Sequence, residues 1–351
     1  MVTHLVFDGV ADGPLGVGLD VMSTAARLLR SGLVMAPVPE RALRQCVVSV
    51  DGRPVRTGAG RTLPVDGALS ARGLREGDVL ALPGLGAATE SQVAGLLQRP
   101  DISRGVEFLT RAARKRVVLA ASCSATFVLA ASGALDGRQA TTTWWLSGAF
   151  ARRFAGVTLR ADRMVVDAGS VLTAGSAFAH ADLMLAIVAR TASPALAHLV
   201  ARYLVLDERT SQSRYMVTEH LRSSDPSVRE LEAFVLANIE RQVSIQQMAR
   251  ATATSPRTLA RRVEDALGTT PHRFAQRLRI SRAVHLLETT RDSVESIAAR
   301  VGYADAAAFR RVFRRETGEA PRAKRTGSLR SRAGEVTRRA RGDGGGAERS
   351  R

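Results

Sequence analysis

Cysteine is nearly absent from this chain. Two in 351 residues, Cys46 and Cys123, can build neither a disulfide framework nor a cysteine-rich metal centre, and a reducing cytoplasm suits them. No metal or cofactor is expected. Lysine is as scarce: Lys115 and Lys324 are the two in the chain, so arginine supplies nearly all of the positive charge. The first residues, MVTHLVFDGV, have neither a basic n-region nor a long apolar core, and no secretory signal is expected. Long hydrophobic runs are missing too. One stretch of 19 residues, 117–135, carries no charge. Serines, a threonine, Gly133 and many alanines make it too weakly hydrophobic to span a bilayer, and it reads as strand, turn and helix. No membrane partner is expected.

What remains is ordinary in bulk, with 45% apolar and 24% charged residues in a length that suits two or three domains. The charge balance is not ordinary, with 51 basic against 33 acidic residues and a net charge of +18. Residues 1–219 hold 24 basic and 18 acidic residues, residues 220–321 hold 17 and 12, and residues 322–351 hold 10 and 3. The excess is therefore concentrated in the last third, which suggests a polyanionic partner, nucleic acid before membrane.

The first two hundred residues alternate short apolar strands (3–7, 46–50, 78–84, 117–122) with helical stretches (20–31, 87–98, 103–114, 124–132, 177–190), and 164–175 reads as a hairpin. Such alternation predicts an α/β domain with a mainly parallel sheet and helices on both faces. The pattern breaks at 207–227, DERTSQSRYMVTEHLRSSDPS, and only helical periodicity follows. The expected organisation is an α/β domain over 1–212, a linker over 213–227, an all-α domain over 228–325 and a basic, disordered tail over 326–351.

Within the all-α domain the sequence repeats itself. Leu259, Arg261, Val263, Gly268 and Pro271 match Phe309, Arg311, Phe313, Gly318 and Pro321 at an offset of 50. Ile245, Met248 and Ala249 match Val294, Ile297 and Ala298 at an offset of 49. Each copy reads as helix, tight turn, helix. Ser255 with Pro256 opens the second helix of one copy and Asp305 that of the other, both as N-caps. Leu259, Val263, Phe309 and Phe313 face a core. The opposite face carries Arg257, Thr258, Arg261 and Arg262 in one copy and Ala306, Ala307, Arg310, Arg311 and Arg314 in the other. Arginines beside small residues on an exposed helix can enter a major groove and bond guanine edges or phosphates. Residues 272–288 read as a longer helix between the copies, and two docked helices should stand roughly 34 Å apart, one turn of B-DNA.

SPRTLARRV, the LR-x3-A-x2-LL pattern from Leu278 to Leu287, VESIAARVGYAD and FRRVFRRETGEAP carry a family resemblance. Residues 228–325 resemble the paired helix-turn-helix domain of AraC/XylS transcriptional regulators. They depart from it at Lys324, where the family usually has an aromatic. Gly84, the strand-cysteine-helix elbow at Cys123, GALDGRQATTTW, Gly175 with Asp182, and RTSQSRY carry a second one. Residues 3–212 resemble the PfpI-like, glutamine-amidotransferase-like domain of the GlxA subgroup of those regulators, which implies a flavodoxin-like sheet.

An elbow cysteine at a helix N-terminus is placed where the macrodipole favours thiolate, at the carboxyl end of a sheet. Catalysis would also need a positioned histidine and an acid to orient it. Catalytic relatives tend to have histidine directly after the cysteine, where this chain has Ser124. Regulatory relatives often have one before the tryptophan, where this chain has Thr143. Asp20 stands near the place of the relatives' acid. Cys123, Asp20, Ser124 and Thr143 are thus candidates for an effector or redox pocket, with a small buried thiol as the plain alternative. His180 reads as packing or surface, and Cys46 as core.

The resemblance implies a cytoplasmic, DNA-binding regulator rather than an enzyme. Its partners would be double-stranded promoter DNA, a small-molecule effector, a second copy in a homodimer, and RNA polymerase. The alternative is a cysteine-dependent hydrolase, amidase or glyoxalase-like enzyme using Cys123.

Overall fold

The computed structural model describes residues 1–34, 40–72, 74–207, 209, 211, 212, 215, 226–267 and 269–325. Most of the expected linker, and the whole of the expected tail over 326–351, lie outside these. The chain divides into two compact units, residues 1–221 with 265–268 and residues 222–264 with 269–351.

In the first unit a seven-stranded sheet runs in the order β10-β11-β7-β6-β1-β2-β5. Its members are β1 (Val2–Leu5), β2 (Gln45–Ser49), β5 (Gly67–Ala68), β6 (Val79–Leu82), β7 (Val118–Ser122), β10 (Val165–Asp167) and β11 (Val171–Ala174). All neighbours pair in parallel except β10 with β11, which form the expected antiparallel hairpin. Two short pairs lie outside it, β3 (Val55–Arg56) with β4 (Thr62–Leu63) and β8 (Gln139–Ala140) with β9 (Thr158–Leu159). Strands buried on both faces send alternate side chains to opposite cores. Leu80, Leu82, Leu119 and Ala121 join the core with Ile102, Leu109 and Phe127, on the side of α2 (Glu90–Leu97), α3 (Pro100–Ala113) and α4 (Ala125–Ala131). Val79, Ala81, Val118 and Ala120 join the other, with side chains of α1 (Asp12–Arg30), α6 (Ala179–Thr191) and α7 (Pro194–Tyr203). A short helix, α5 (Ser147–Arg153), follows Trp144 and Trp145.

Helix α1 begins eight residues before the expected start at 20, through a stretch with Gly13, Pro14, Gly16 and Gly18 that does not look helical. Tertiary packing outweighs propensity here. A Cβ on Gly18 would come within 2.9 Å of the His180 ring, so the glycine is what lets α1 lie against α6. The uncharged stretch 117–135 resolves into β7, the cysteine turn and α4, as expected. Among the described residues no helix is long and apolar enough to cross a membrane.

The second unit is helical throughout its described residues: α8 (Pro226–Ala237), α9 (Ile245–Ala251), α10 (Pro256–Leu267), α11 (Pro271–Thr289), α12 (Val294–Arg300) and α13 (Ala306–Thr317). Helix α8 starts at Pro226, two residues inside the expected linker, because proline suits a first helical turn. Each repeat copy is a seven-residue helix, a turn and a twelve-residue helix. Leu259, Val263, Phe309 and Phe313 are all buried, as their spacing required. Ile297, Ala298, Val301, Phe309 and Phe313 share a core with Ile280, Ala283, Leu286 and Leu287 of α11. The connecting helix does more than space the copies. Buried Arg279 donates to the Arg241 carbonyl and, over 3.2 Å, to Gln242 Oε1, while Gln242 Nε2 donates to the Gly302 carbonyl at 2.9 Å. One side-chain relay thus joins the entrance of the first copy to the turn of the second.

Candidate functional site

The helix starts of the two copies are fixed locally. Ser255 Oγ accepts from the Thr258 N–H at 3.1 Å, and Asp305 accepts from the Ala307 and Ala308 N–H groups at 2.8 and 3.0 Å. Those two backbone donors hold the Asp305 carboxyl below its usual range. From these caps, α10 exposes Arg257, Arg261 and Arg262 with Thr258 half-buried beside them, and α13 exposes Ala307, Arg310, Arg311 and Arg314 with Ala306 half-buried.

The arginines are not equivalent. Arg257, Arg261, Arg311 and Arg314 have no hydrogen-bond or ion-pair partner among the described residues. Arg262 Nη1 donates to Ser227 Oγ at 2.6 Å, and Arg310 forms an ion pair with Glu295 of α12. Sequence reading treated all of these arginines as one face. The partners were invisible to it because Ser227 lies 35 residues and Glu295 15 residues away in sequence.

In the first unit, the structure brings Cys123, Ser124 and Thr143 together and leaves Asp20 out. Cys123 adopts φ 55°, a left-handed conformation rare outside glycine and asparagine. It is held there by its own N–H, which donates to the Ala174 and Gly175 carbonyls at 3.1 and 2.7 Å, and by its carbonyl, which accepts from Thr142 Oγ1 at 2.8 Å. Ser124 is buried; its hydroxyl donates to the Leu85 carbonyl and accepts from the Leu85 N–H at 3.1 Å. Gly84 lies so close that a Cβ there would stand 3.0 Å from Cys123 Cβ. Thr143 is buried, and the Cys123 thiol is the neighbour its hydroxyl acts on. Asp20 is exposed in the third turn of α1, a consequence of that helix's early start, and has no ion-pair partner among the described residues.

Burial pushes the Cys123 thiol above its ordinary range; the Ser124 amide and the Thr143 hydroxyl oppose this with smaller effect. The helix that follows is only seven residues long, and desolvation outweighs the thiolate preference expected of its N-terminus. His180 is buried, as a packing residue would be, with Nδ1 3.0 Å from Ser122 Oγ. Burial, then the neighbouring His4, lowers its pKa to about 3. His4 is likewise lowered to about 4 by burial, against a hydrogen bond with Gln45. Cys46 is half-buried in β2, packed against the core rather than within it.

Two site residues were missed within a motif that had been singled out, RTSQSRY. Gln212 is buried, its Nε2 donating to the Thr142 and Ala161 carbonyls at 2.9 and 2.8 Å and its Oε1 accepting from Ser176 Oγ at 3.2 Å. A Cβ on Gly175 would overlap this amide. Arg209 pairs with Asp182 and donates to the Phe178 carbonyl at 2.8 Å. Among the described residues no group of three or more His, Cys, Asp or Glu side chains could hold a metal ion.

A doubly wound sheet with a cysteine elbow, followed in sequence by paired helix-turn-helix modules, defines a two-part architecture. The chain belongs to the DJ-1/PfpI family, which matches residues 7–190, and a helix-turn-helix domain matches residues 248–327. It is similar to the HTH-type transcriptional regulator GbdR of Pseudomonas aeruginosa, 27% identical over 66% of this chain and 64% of GbdR. The chain thus spans just under two thirds of that relative's length. CdhR of the same species is 28% identical over 78% of this chain and 79% of its own. GlxA of Rhizobium meliloti is 29% identical over 67% and 71%.

Proposed function

We propose that this protein is a sequence-specific DNA-binding transcriptional regulator of the AraC type, with a catalytically degenerate PfpI-like sensor unit. The duplicated helix-turn-helix carries the reading: equal helix lengths in each copy, matched caps, and outward arginines on both second helices. Arg257, Arg261, Arg311 and Arg314, without partners among the described residues, suit phosphates and guanine edges, and Ala306 and Ala307 leave room for close approach. Ser255 and Asp305 set where each helix begins, and Thr258, Arg262 and Arg310 complete the two faces. GbdR, CdhR and GlxA are each named as transcriptional regulators, which supports the same reading. Its partners are double-stranded promoter DNA, a small effector, a second copy of the chain and RNA polymerase, and it works in the cytoplasm. The domain limits are 1–212 and 228–325, with the first helix of the second beginning two residues ahead at Pro226.

Selection of genomic fragments with the full chain, followed by anisotropy titrations over a salt range, tests this. Arg261→Ala and Arg311→Ala should each weaken binding tenfold or more and, where the contact is to phosphate, lower the salt slope by about one. Unchanged binding in both variants overturns the assignment.

The left-handed elbow at Cys123 is the observation that favours an enzyme. A buried thiol with a raised pKa should label slowly at neutral pH. Rapid labelling, with turnover of an ester or amide panel lost in Cys123→Ala, would favour the hydrolase instead.

A further inference from the structure

A cleft of about 820 Å³ opens in the first unit between α6 and α7, and Cys123, Ser124 and Thr143 do not line it. Its floor is apolar, built by Val165, Leu185, Ala186, Ala189, Ala197 and Leu206. Its rim is cationic. Arg163 and Arg202 are exposed there, and neither guanidinium has a hydrogen-bond or ion-pair partner among the described residues. The exposed His198 imidazole stands with them. Two carboxylates reach the wall. Asp182 is already engaged by Arg209 at 2.5 Å, so among the described lining residues Asp207 is the one acid without a partner against two such arginines.

The volume falls within the roughly 300–1,000 Å³ of clefts that enclose one metabolite-sized molecule. Apolar floors hold the body of such ligands, and a few polar groups at the mouth select their charge. Guanidinium forks match planar oxyanions and are weakly hydrated, so they lose little when a ligand covers them. We propose that this cleft binds a small organic anion, an apolar body carrying one carboxylate or sulfonate, with Arg163 and Arg202 holding the charged end.

The cleft wall also gives the ligand something to move. Leu206, Asp207 and Arg209 form it just after α7, in the last described stretch of the first unit. Arg209 is fastened there by Asp182 and by the Phe178 carbonyl. A bound anion competes with Asp182 for that guanidinium and loosens the segment. This consequence rests on the regulator reading; binding itself does not.

The test is a fluorescence titration of the full chain with 8-anilino-1-naphthalenesulfonate, an apolar anion, beside the neutral N-phenyl-1-naphthylamine. The sulfonate should saturate, weaken about tenfold in Arg202→Glu and in Arg163→Glu, and be lost in Ala201→Trp, which fills the cleft. Affinity for the neutral probe should change less than twofold in the two charge variants. Arg163 and Arg202 are exposed, so these variants keep the fold intact. Sulfonate affinity unchanged in the charge variants, or equal losses for both probes, overturns the proposal. Adding the sulfonate to a protein–DNA titration separates the two claims. DNA binding without sulfonate binding sinks the cleft and leaves the regulator, whereas sulfonate binding in a chain that never binds DNA does the reverse.

Discussion

Gly175 and Gln212 should be coupled energetically, and a double-mutant cycle can measure by how much. A Cβ on Gly175 would stand 2.6 Å from Gln212 Cδ, about 1 Å inside ordinary carbon contact. The amide cannot swing aside cheaply, because its Nε2 serves the Thr142 and Ala161 carbonyls. Overpacking of this kind costs about 1–3 kcal/mol. Expelling the amide instead leaves two buried carbonyls unsatisfied, at about 1–3 kcal/mol for each group. The Gly→Ala gain from a stiffer unfolded chain offsets only about 0.4–1 kcal/mol. Gly175→Ala should therefore cost about 1–2 kcal/mol alone, and Gln212→Ala, which leaves both carbonyls unsatisfied, about 2 kcal/mol or more. Once the amide is gone the methyl has space, so the double variant should fall short of the sum by about 1–2 kcal/mol, within the range for contacting residues. Trp144 and Trp145 are the only tryptophans and both lie in the first unit, so their fluorescence in urea reports on that unit alone. Costs that add within about 0.5 kcal/mol would mean that the glycine does not make room for the amide.

Acid should destabilise the first unit through its two buried histidines. Each is neutral in the fold, with pKa lowered to about 4 for His4 and about 3 for His180, while the unfolded chain takes up protons below pH 6.5. Stability is then complete above pH 6.5 and falls by up to about 2 kcal/mol per histidine by pH 5, measured as urea midpoints; an unchanged midpoint contradicts it. Glu295→Gln releases Arg310, and should raise DNA affinity a few-fold and steepen its salt dependence, with stability within about 0.5 kcal/mol because the pair is exposed. Weaker DNA binding would show that the pair positions Arg310 instead. Gly302→Ala places a Cβ 2.6 Å from the Ile239 carbonyl at φ +80°, and should cost more than about 2 kcal/mol in thermal unfolding; a smaller loss would mean that this turn yields easily.

Much of this was legible because periodicity and capping are local. Ser255 with Pro256, and Asp305, start their helices by bonds to residues two or three positions on, which any reader of the sequence can anticipate. The same holds for Leu259 and Val263, whose four-residue spacing demands a common face. What escaped was fixed at a distance. The glycine-rich start of α1 is helical because α6 requires close approach at Gly18, and nothing near Gly18 in sequence announces His180. That error displaced Asp20, which a helix starting at 20 would have put at an end and a helix starting at 12 puts on an outer face. Thiol chemistry escaped for a related reason. A strand-cysteine-helix pattern suggests a thiolate, but the degree of burial that decides its protonation comes from Gly84, Leu85 and the 141–143 loop together.

The cysteine elbow is held by its neighbours' hydrogen bonds, and a shape so held has a use that needs no catalysis. Cys123 is clamped to Ala174, Gly175 and Thr142, and Ser124 to Leu85, so that four chain segments meet at one strained residue. Strain of about 1–3 kcal/mol at a left-handed non-glycine residue persists only where its surroundings over-determine it. Gln212 completes that surrounding, fastened to Thr142 and pressed against Gly175. Three residues earlier Arg209 is fastened to Asp182 on the cleft wall. Arg209 and Gln212 thus tie the stretch after α7 to the cysteine turn at one point and to an apolar, arginine-rimmed cleft at another. On the regulator reading, a small molecule acting at either point would change the same few bonds, and the contacts that hold the elbow, rather than its sulfur, would carry the signal.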